Sequence, residues 1–238
     1  LETTAFFMDN KTFRQHLPAC APVVPFAQGD QLLLMDFTAA NTLLTDEILR
    51  NTAIFSAYVA DCLQTAGAKF GIGGYLENRT VYSRSKVFDG SGIDEEPRRL
   101  HLGIDVWGGA GTPVSAPLDG SVHSFAFNDH YGDYGATIIL QHELPGLRFH
   151  SLYGHLSLRD LDGLYKGKPV KAGEIIAHFG EPVENGHWPP HLHFQLILDM
   201  EGKEGDYPGV CRVSERDRYE ANCPDPDGVL DLLKHAVG

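Results

Sequence analysis

Residues 136–157, ATIILQHELPGLRFHSLYGHLS, hold two apolar runs on either side of Pro145 and Gly146. Each run is short and ends in turn residues, so the pair reads as two strands rather than a helix. The same texture extends outward from about residue 98 to 198. GTPVSAP, GSVHSFAF, KPVKAGEIIAHFG and HLHFQLIL recur there with Gly, Pro and Asp between them. Short strands at regular spacing with turn signals predict a mainly β protein with an antiparallel, sandwich-like core.

The flanks read differently. QLLLMDFT (31–38) is an apolar run consistent with a buried strand, and TDEILRNTAIFSAYVADCLQTAG (45–67) predicts one helix. Thr45 is its N-cap, Asp46 and Glu47 suit its positive end, Ile48, Phe55, Val59 and Leu63 belong to its apolar stripe, and Gly67 stops it. From Gly71 to Pro97 the chain is glycine-rich and polar, and KVFDGSGIDEEP reads as an exposed connector. DGVLDLLKHAV predicts a short C-terminal amphipathic helix. The expected organisation is an N-terminal α/β extension over 1–90, a β domain over 91–200 and a tail over 201–238 packed on it.

Composition narrows the function. The chain has 238 residues and a net charge of −13, and no basic cluster exceeds the pair Arg98 and Arg99. A phosphate-backbone footprint is therefore missing, and nucleic acid is not an expected partner. No run of about 18 apolar residues could span a membrane as a helix. The first residues, LETTAFFMDNKTF, lack the pattern of a signal peptide, which leaves the compartment open. Cys20, Cys62, Cys211 and Cys223 form no C-x-x-C pair, so reduced thiols are expected, with a Cys211 to Cys223 bridge as the alternative. Twelve histidines are about twice ordinary usage, and they direct attention to imidazole chemistry.

Three motifs carry that chemistry. His101 and Asp105 flank Gly103, and on a straight strand they would stand about 13 Å apart, too far to share one ion. A bend or bulge at Gly103 would turn them toward a common point. In Pro190-His191-Leu192-His193-Phe194, the two imidazoles share one strand face. Either of them could bind metal on spacing alone. His155 in LYGHLS is a lone histidine beside a glycine, which taken alone is a core histidine more often than a catalyst.

Together these blocks, with GTPVSAPLDGSV, YGATIIL and the expected hairpin GKPVKAGEIIAHFG, resemble in order and spacing the lysostaphin/LytM-like zinc endopeptidases over residues 98–198. The resemblance implies that His101, Asp105 and His193 are ligands of Zn²⁺, and that His155 and His191 are the unligated catalytic pair. It also implies an antiparallel β core with a groove across its metal-bearing face. Two imidazoles and one carboxylate leave zinc an open position, as in catalytic sites, and such a metal acidifies water toward a pKa of about 7. The expected activity is metal-dependent hydrolysis of a peptide or peptidoglycan fragment. A non-catalytic binding module and a zinc hydrolase of small amides are the alternatives.

The pattern departs from that family in places. The loop PVENGHWPPHLHF carries His187, Trp188 and a double proline beside the expected cleft, with His187 read as an exposed loop residue. ENGHWPPHLHFQ, EGDYPGV and CPDPDGVL make the whole run look more like the version fused to class III aminotransferase and kinase-like phosphotransferase domains. Arg79, Tyr82, Arg98 and Arg99 could hold a substrate carboxylate, although pairing with the chain's own acids is the simpler reading.

Overall fold

The computed structural model describes residues 10–90 and 95–237. In chain order the helices are α1 (Asn10–His16), α2 (Asp46–Arg50), α3 (Thr52–Ala66), α4 (Arg216–Asn222) and α5 (Asp227–Leu230). The strands of the first half are β1 (Leu32–Leu34), β2 (Phe70–Gly73), β3 (Leu100–His101), β4 (Ile104–Trp107), β5 (Pro113–Ser115) and β6 (Gly120–Asn128). They are followed by β7 (Gly135–Leu144), β8 (Leu147–Leu156), β9 (Pro169–Val170), β10 (Ile175–His178), β11 (His191–Ile197), β12 (Val210–Cys211) and β13 (Ala236–Val237).

One sheet of nine strands dominates, in the order β13-β1-β2-β4-β11-β8-β7-β6-β9. From β2 to β9 every pairing is antiparallel, as the sequence predicts, whereas β1 runs parallel to both β2 and β13 and makes the sheet mixed. The two strands expected over residues 136–157 form, and they join as a hairpin: Leu144 pairs with Leu147, and Gly146 takes a left-handed φ of 76° in the two-residue turn.

Three expectations are corrected. The predicted helix over 45–67 is two helices, because Asn51 adopts an extended φ and its side chain accepts from the Ala53 and Ile54 amides, which starts α3 afresh. The glycine-rich stretch after Gly71 is not all connector. FGIG is β2, buried at every position, and it pairs with β4 inside the sheet. A Cβ at Gly73 would meet the Arg79 guanidinium at 2.4 Å, so the missing side chain is what admits that group. Finally, β9 and β10 do not form a hairpin. β9 joins β6 and β10 joins β5, because backbone bonds from Gly173 to Ala116 and from Ala116 to Glu174 divert the connecting turn.

The C-terminal helix is present as α5 and stops at Asp231, which takes a φ of 51°; the chain then adds the edge strand β13. All four cysteines are free thiols, including Cys211 and Cys223.

The two faces of the sheet have different jobs. Ile104, Val106, Leu192, Phe194 and Leu196 point into the main core. On the opposite face, Trp107 packs with Phe37, Phe55 and Trp188 in a second core contributed largely by the N-terminal extension. Asp105, His191 and His193 lie on this second face by strand alternation.

Candidate active site

Sheet register assembles the centre. In the antiparallel pair of β4 and β11, Asp105 stands opposite His193 and Trp107 opposite His191. The chain bends at Gly103 as the sequence suggests, and β3 leaves the main sheet to pair with β12. That bend carries His101 back over β11. A Cβ at Gly103 would lie 2.6 Å from Cε1 of His193 and 2.8 Å from the Phe194 carbonyl oxygen, so only glycine allows this close crossing.

The result is a triangle of donor atoms. Nε2 of His101 lies 3.0 Å from Nδ1 of His193, and Oδ1 of Asp105 lies 3.1 Å from His193 Nδ1 and 3.3 Å from His101 Nε2. Their outer partners set the protons. Nδ1 of His101 is 3.0 Å from the Gly74 carbonyl, which can only accept, so the proton sits on Nδ1 and Nε2 is bare. Nε2 of His193 is 3.0 Å from Oε1 of Gln195, whose amide nitrogen donates to the Pro208 carbonyl at 3.1 Å and so turns its oxygen toward the ring. That leaves Nδ1 of His193 bare as well. Two imidazole lone pairs and a carboxylate oxygen thus face one another with no proton between them, an arrangement that a cation relieves. A tetrahedral ion bonded at about 2.0–2.1 Å holds its donors roughly 3.3 Å apart, and the set fits Zn²⁺ on that ground. Among the described residues, this is the group of His, Cys, Asp and Glu side chains that could hold a metal.

The other oxygen of Asp105 is taken by Arg79. The guanidinium is 1% exposed, donates through Nη1 to Oδ2 of Asp105 and through Nε to Oε2 of Glu77 at 2.6 Å, and lies 5.4 Å from the Phe37 ring centre. Burial opposes ionisation of Asp105, but the Arg79 guanidinium paired with it favours the carboxylate, and the carboxyl is held well below the usual range.

His155 and His191 stand beside this triangle with ring centres 4.1 Å apart. Each has its outer nitrogen fixed: Nδ1 of His155 donates to the Asn185 carbonyl at 2.8 Å, and Nδ1 of His191 to the Pro189 carbonyl at 2.7 Å. Each therefore keeps a bare Nε2. His191 also stacks on Trp107 at 3.9 Å. Burial pushes both below the ordinary imidazole range, His191 to about 4. His155 has a φ of 63°, a left-handed backbone that is costly for a residue with a Cβ and is held by bonds from its amide to Tyr134 and from Gly180 to its carbonyl.

The loop before β11 is fixed rather than mobile in design. Asn185 donates to the Gly180 and Trp188 carbonyls and accepts from the Trp188 amide, and its own carbonyl receives His155. Trp188 is buried, while His187 is exposed and stacks on Tyr131 at 5.4 Å, outside the donor triangle. Arg99 pairs with Asp89, and Arg98 donates to the Val87 carbonyl and lies over Phe88.

The structure brings together His101, Asp105, His155, His191 and His193, each no more than 6% exposed, and all of these but His101 line one cavity of about 160 Å³. The face that carries the donor triangle holds a partly open pocket where a groove across it is expected. Tyr82 and Phe88 from the extension, Trp188, and Pro208 and Val210 from the tail wall it in. Gln195 is the partner that motif reading missed, whereas Arg79 pairs with the chain's own acids Glu77 and Asp105, the simpler of its two expected roles. A signal for Gln195 existed, since H-x-H-x-Q places it on the same strand face as both histidines.

Residues 99–205 match the family model described as Peptidase family M23. An uncharacterized metalloprotease of Haemophilus influenzae is 38% identical over 103 residues, 42% of this chain and 19% of that protein. DD-carboxypeptidase/endopeptidase Mpg of Neisseria meningitidis serogroup B is 34% identical over 102 residues, 42% of this chain and 21% of that protein. The chain thus aligns with about a fifth of the length of these relatives. Lysostaphin from Staphylococcus simulans is similar in structure with a TM-score of 0.38 at 27% identity, covering 60% of this chain and 46% of that one.

Proposed function

Because residues 99–205 match the model of Peptidase family M23, we propose that the chain is a zinc-dependent peptidase of the lysostaphin/LytM type acting on peptides of peptidoglycan or on glycine-rich peptides. His101, Asp105 and His193 would hold the ion, and His155 and His191 would be the catalytic pair. The observation that carries this reading is the convergence of three unprotonated donor atoms at 3.0–3.3 Å, each backed by a fixed outer partner. When bound, zinc supplies a Lewis acid that acidifies water and polarises the scissile carbonyl.

The chain's own groups then handle the protons. A neutral imidazole with a bare Nε2 accepts a proton from attacking water, and once charged it donates that proton to the leaving nitrogen. The C–N bond breaks as the new C–O bond persists, and one water is consumed to give a carboxylate and an amine. Both His155 and His191 meet the structural requirement, since the Asn185 and Pro189 carbonyls hold Nδ1–H outward in each. The other imidazole of the pair is placed to hydrogen-bond the tetrahedral oxygen after protonation.

Metal analysis with a peptide hydrolysis assay tests the reading. Zinc should bind at one equivalent and be lost in His193→Ala. His155→Ala and His191→Ala should keep zinc and lose turnover by about 10²–10⁴-fold. Full activity in both catalytic variants would refute the assignment.

A further inference from the structure

The walls of the cavity and the scaffold of the site are one unit, and this bears on what can enter. The two-residue strand β3, which carries His101, is hydrogen-bonded along both edges. On one side, the Leu76 amide donates to the His101 carbonyl at 2.9 Å, the His101 amide to Glu77 at 3.0 Å, and the Arg79 amide to Arg99 at 2.9 Å. On the other, the Leu102 amide donates to Gly209 at 2.8 Å and the Arg99 amide to Cys211 at 3.0 Å, in the β12 pairing of Val210 with His101.

These same flanking segments continue directly into the walls. Residues 76–79 lead into the turn bearing Tyr82 and Phe88, and residues 209–211 include Val210. The aromatic side chains lock across the top: Tyr82 and Phe88 have ring centres 4.7 Å apart, Tyr82 and Trp188 6.1 Å, and Phe88 and Trp188 6.4 Å. The wall therefore cannot swing away as a lid without breaking the backbone bonds that place His101.

The space between these walls is partly open to solvent, and it is small. At about 160 Å³ it is comparable with a small dipeptide rather than with a longer peptide. Typical ligand sites are about 300–1,000 Å³. A long peptide threaded through the centre would need room on both sides of the scissile bond.

We infer that this site takes short peptides, peptide ends or small amides of about two residues, and excludes the interior of long or cross-linked chains. The inference rests on the peptidase reading above and limits its substrate class. Phe88 and Val210 are the size-determining residues, because they close the cavity without belonging to the metal or proton-transfer groups.

The test uses the zinc-loaded full chain with peptide libraries of two to eight residues containing L- and D-residues, and with intact peptidoglycan sacculi, read by mass spectrometry. Efficiency should fall at least 100-fold between two or three residues and eight, with sacculi untouched, and Phe88→Ala or Val210→Ala should recover longer substrates at least 10-fold. Calorimetry with aminoacyl and longer peptidyl hydroxamates gives a readout independent of turnover: affinity should drop at least 10-fold beyond two residues. Internal cleavage of eight-residue peptides or sacculi at the efficiency of dipeptides, or hydroxamate affinity independent of length, overturns the size limit and leaves the peptidase reading intact. If zinc binds and no member of any library is hydrolysed, the peptidase reading falls, and the size limit falls with it.

Discussion

Four imidazoles gather at this site, and in each the outward nitrogen meets a fixed acceptor: Gly74, Asn185 and Pro189 carbonyls, or the Gln195 amide oxygen. Tautomer choice is thus built into the fold before any metal arrives, which lowers the reorganisation that binding requires. Replacing Gln195 by Leu should weaken zinc 10–100-fold by freeing the His193 ring to turn over, measured by chelator competition. Arg79→Met should have an effect of similar size, with partial recovery in Arg79→Lys, because the guanidinium is what keeps Oδ1 of Asp105 facing the two histidines. Unchanged zinc affinity in both would remove them from the site. The motif residues themselves were legible because H-x-x-x-D and H-x-H keep fixed spacings in one chain. Arg79 was readable only as a cation seeking an acid, and backbone acceptors such as Gly74 and Asn185 leave no side-chain signature at all.

At the scale of elements, the position of β3 depends on a single missing methyl group. Gly103→Ala would push a Cβ into the His193 ring and the Phe194 carbonyl. The expected cost is about 1–3 kcal/mol of stability together with weakened zinc binding, and chemical denaturation with metal titration would show both. Wild-type stability in that variant would mean that β3 can shift freely. Helix breaks follow similar local rules. Asn51→Ala removes the side chain that caps α3 through two amides and should cost about 1 kcal/mol, checked by urea unfolding. Strand alternation and the Pro145-Gly146 turn made the central hairpin readable. The split at Asn51 was harder to foresee, because the apolar stripe runs on through it and periodicity does not register a cap within a stripe. The parting of β9 from β10 was hidden for another reason: it is decided by backbone bonds to Ala116, far away in sequence.

For the molecule as a whole, the buried histidines set an acid limit. His142 and His150 lie outside the metal site, and burial holds both below the ordinary value of 6.5, His150 at about 4. At His150 the unfolded chain takes up a proton near pH 6.5 while the folded chain resists until about 4, so its stability contribution is complete above 6.5 and is lost as pH falls between those values. His150 contributes up to about 2 kcal/mol after allowance for solvent screening, and His142 adds in the same direction. Thermal melting should therefore drop from pH 7 to pH 4.5, and a flat midpoint would contradict the assignment. The extension and tail read as additions to a β domain because their composition differs, yet β2 occupies the middle of the sheet and β13 its edge.

The double-edged bonding of β3 has a consequence for inheritance. The borders drawn by sequence kinship, 99 and 205, fall just inside the two segments that hold His101 in place. Transplanting that stretch into a foreign protein would move all five acid and imidazole side chains yet orphan the ribbon under one of them. Kinship and architecture thus count different parts here: the stretch of family likeness leaves out the backbone that holds its first histidine.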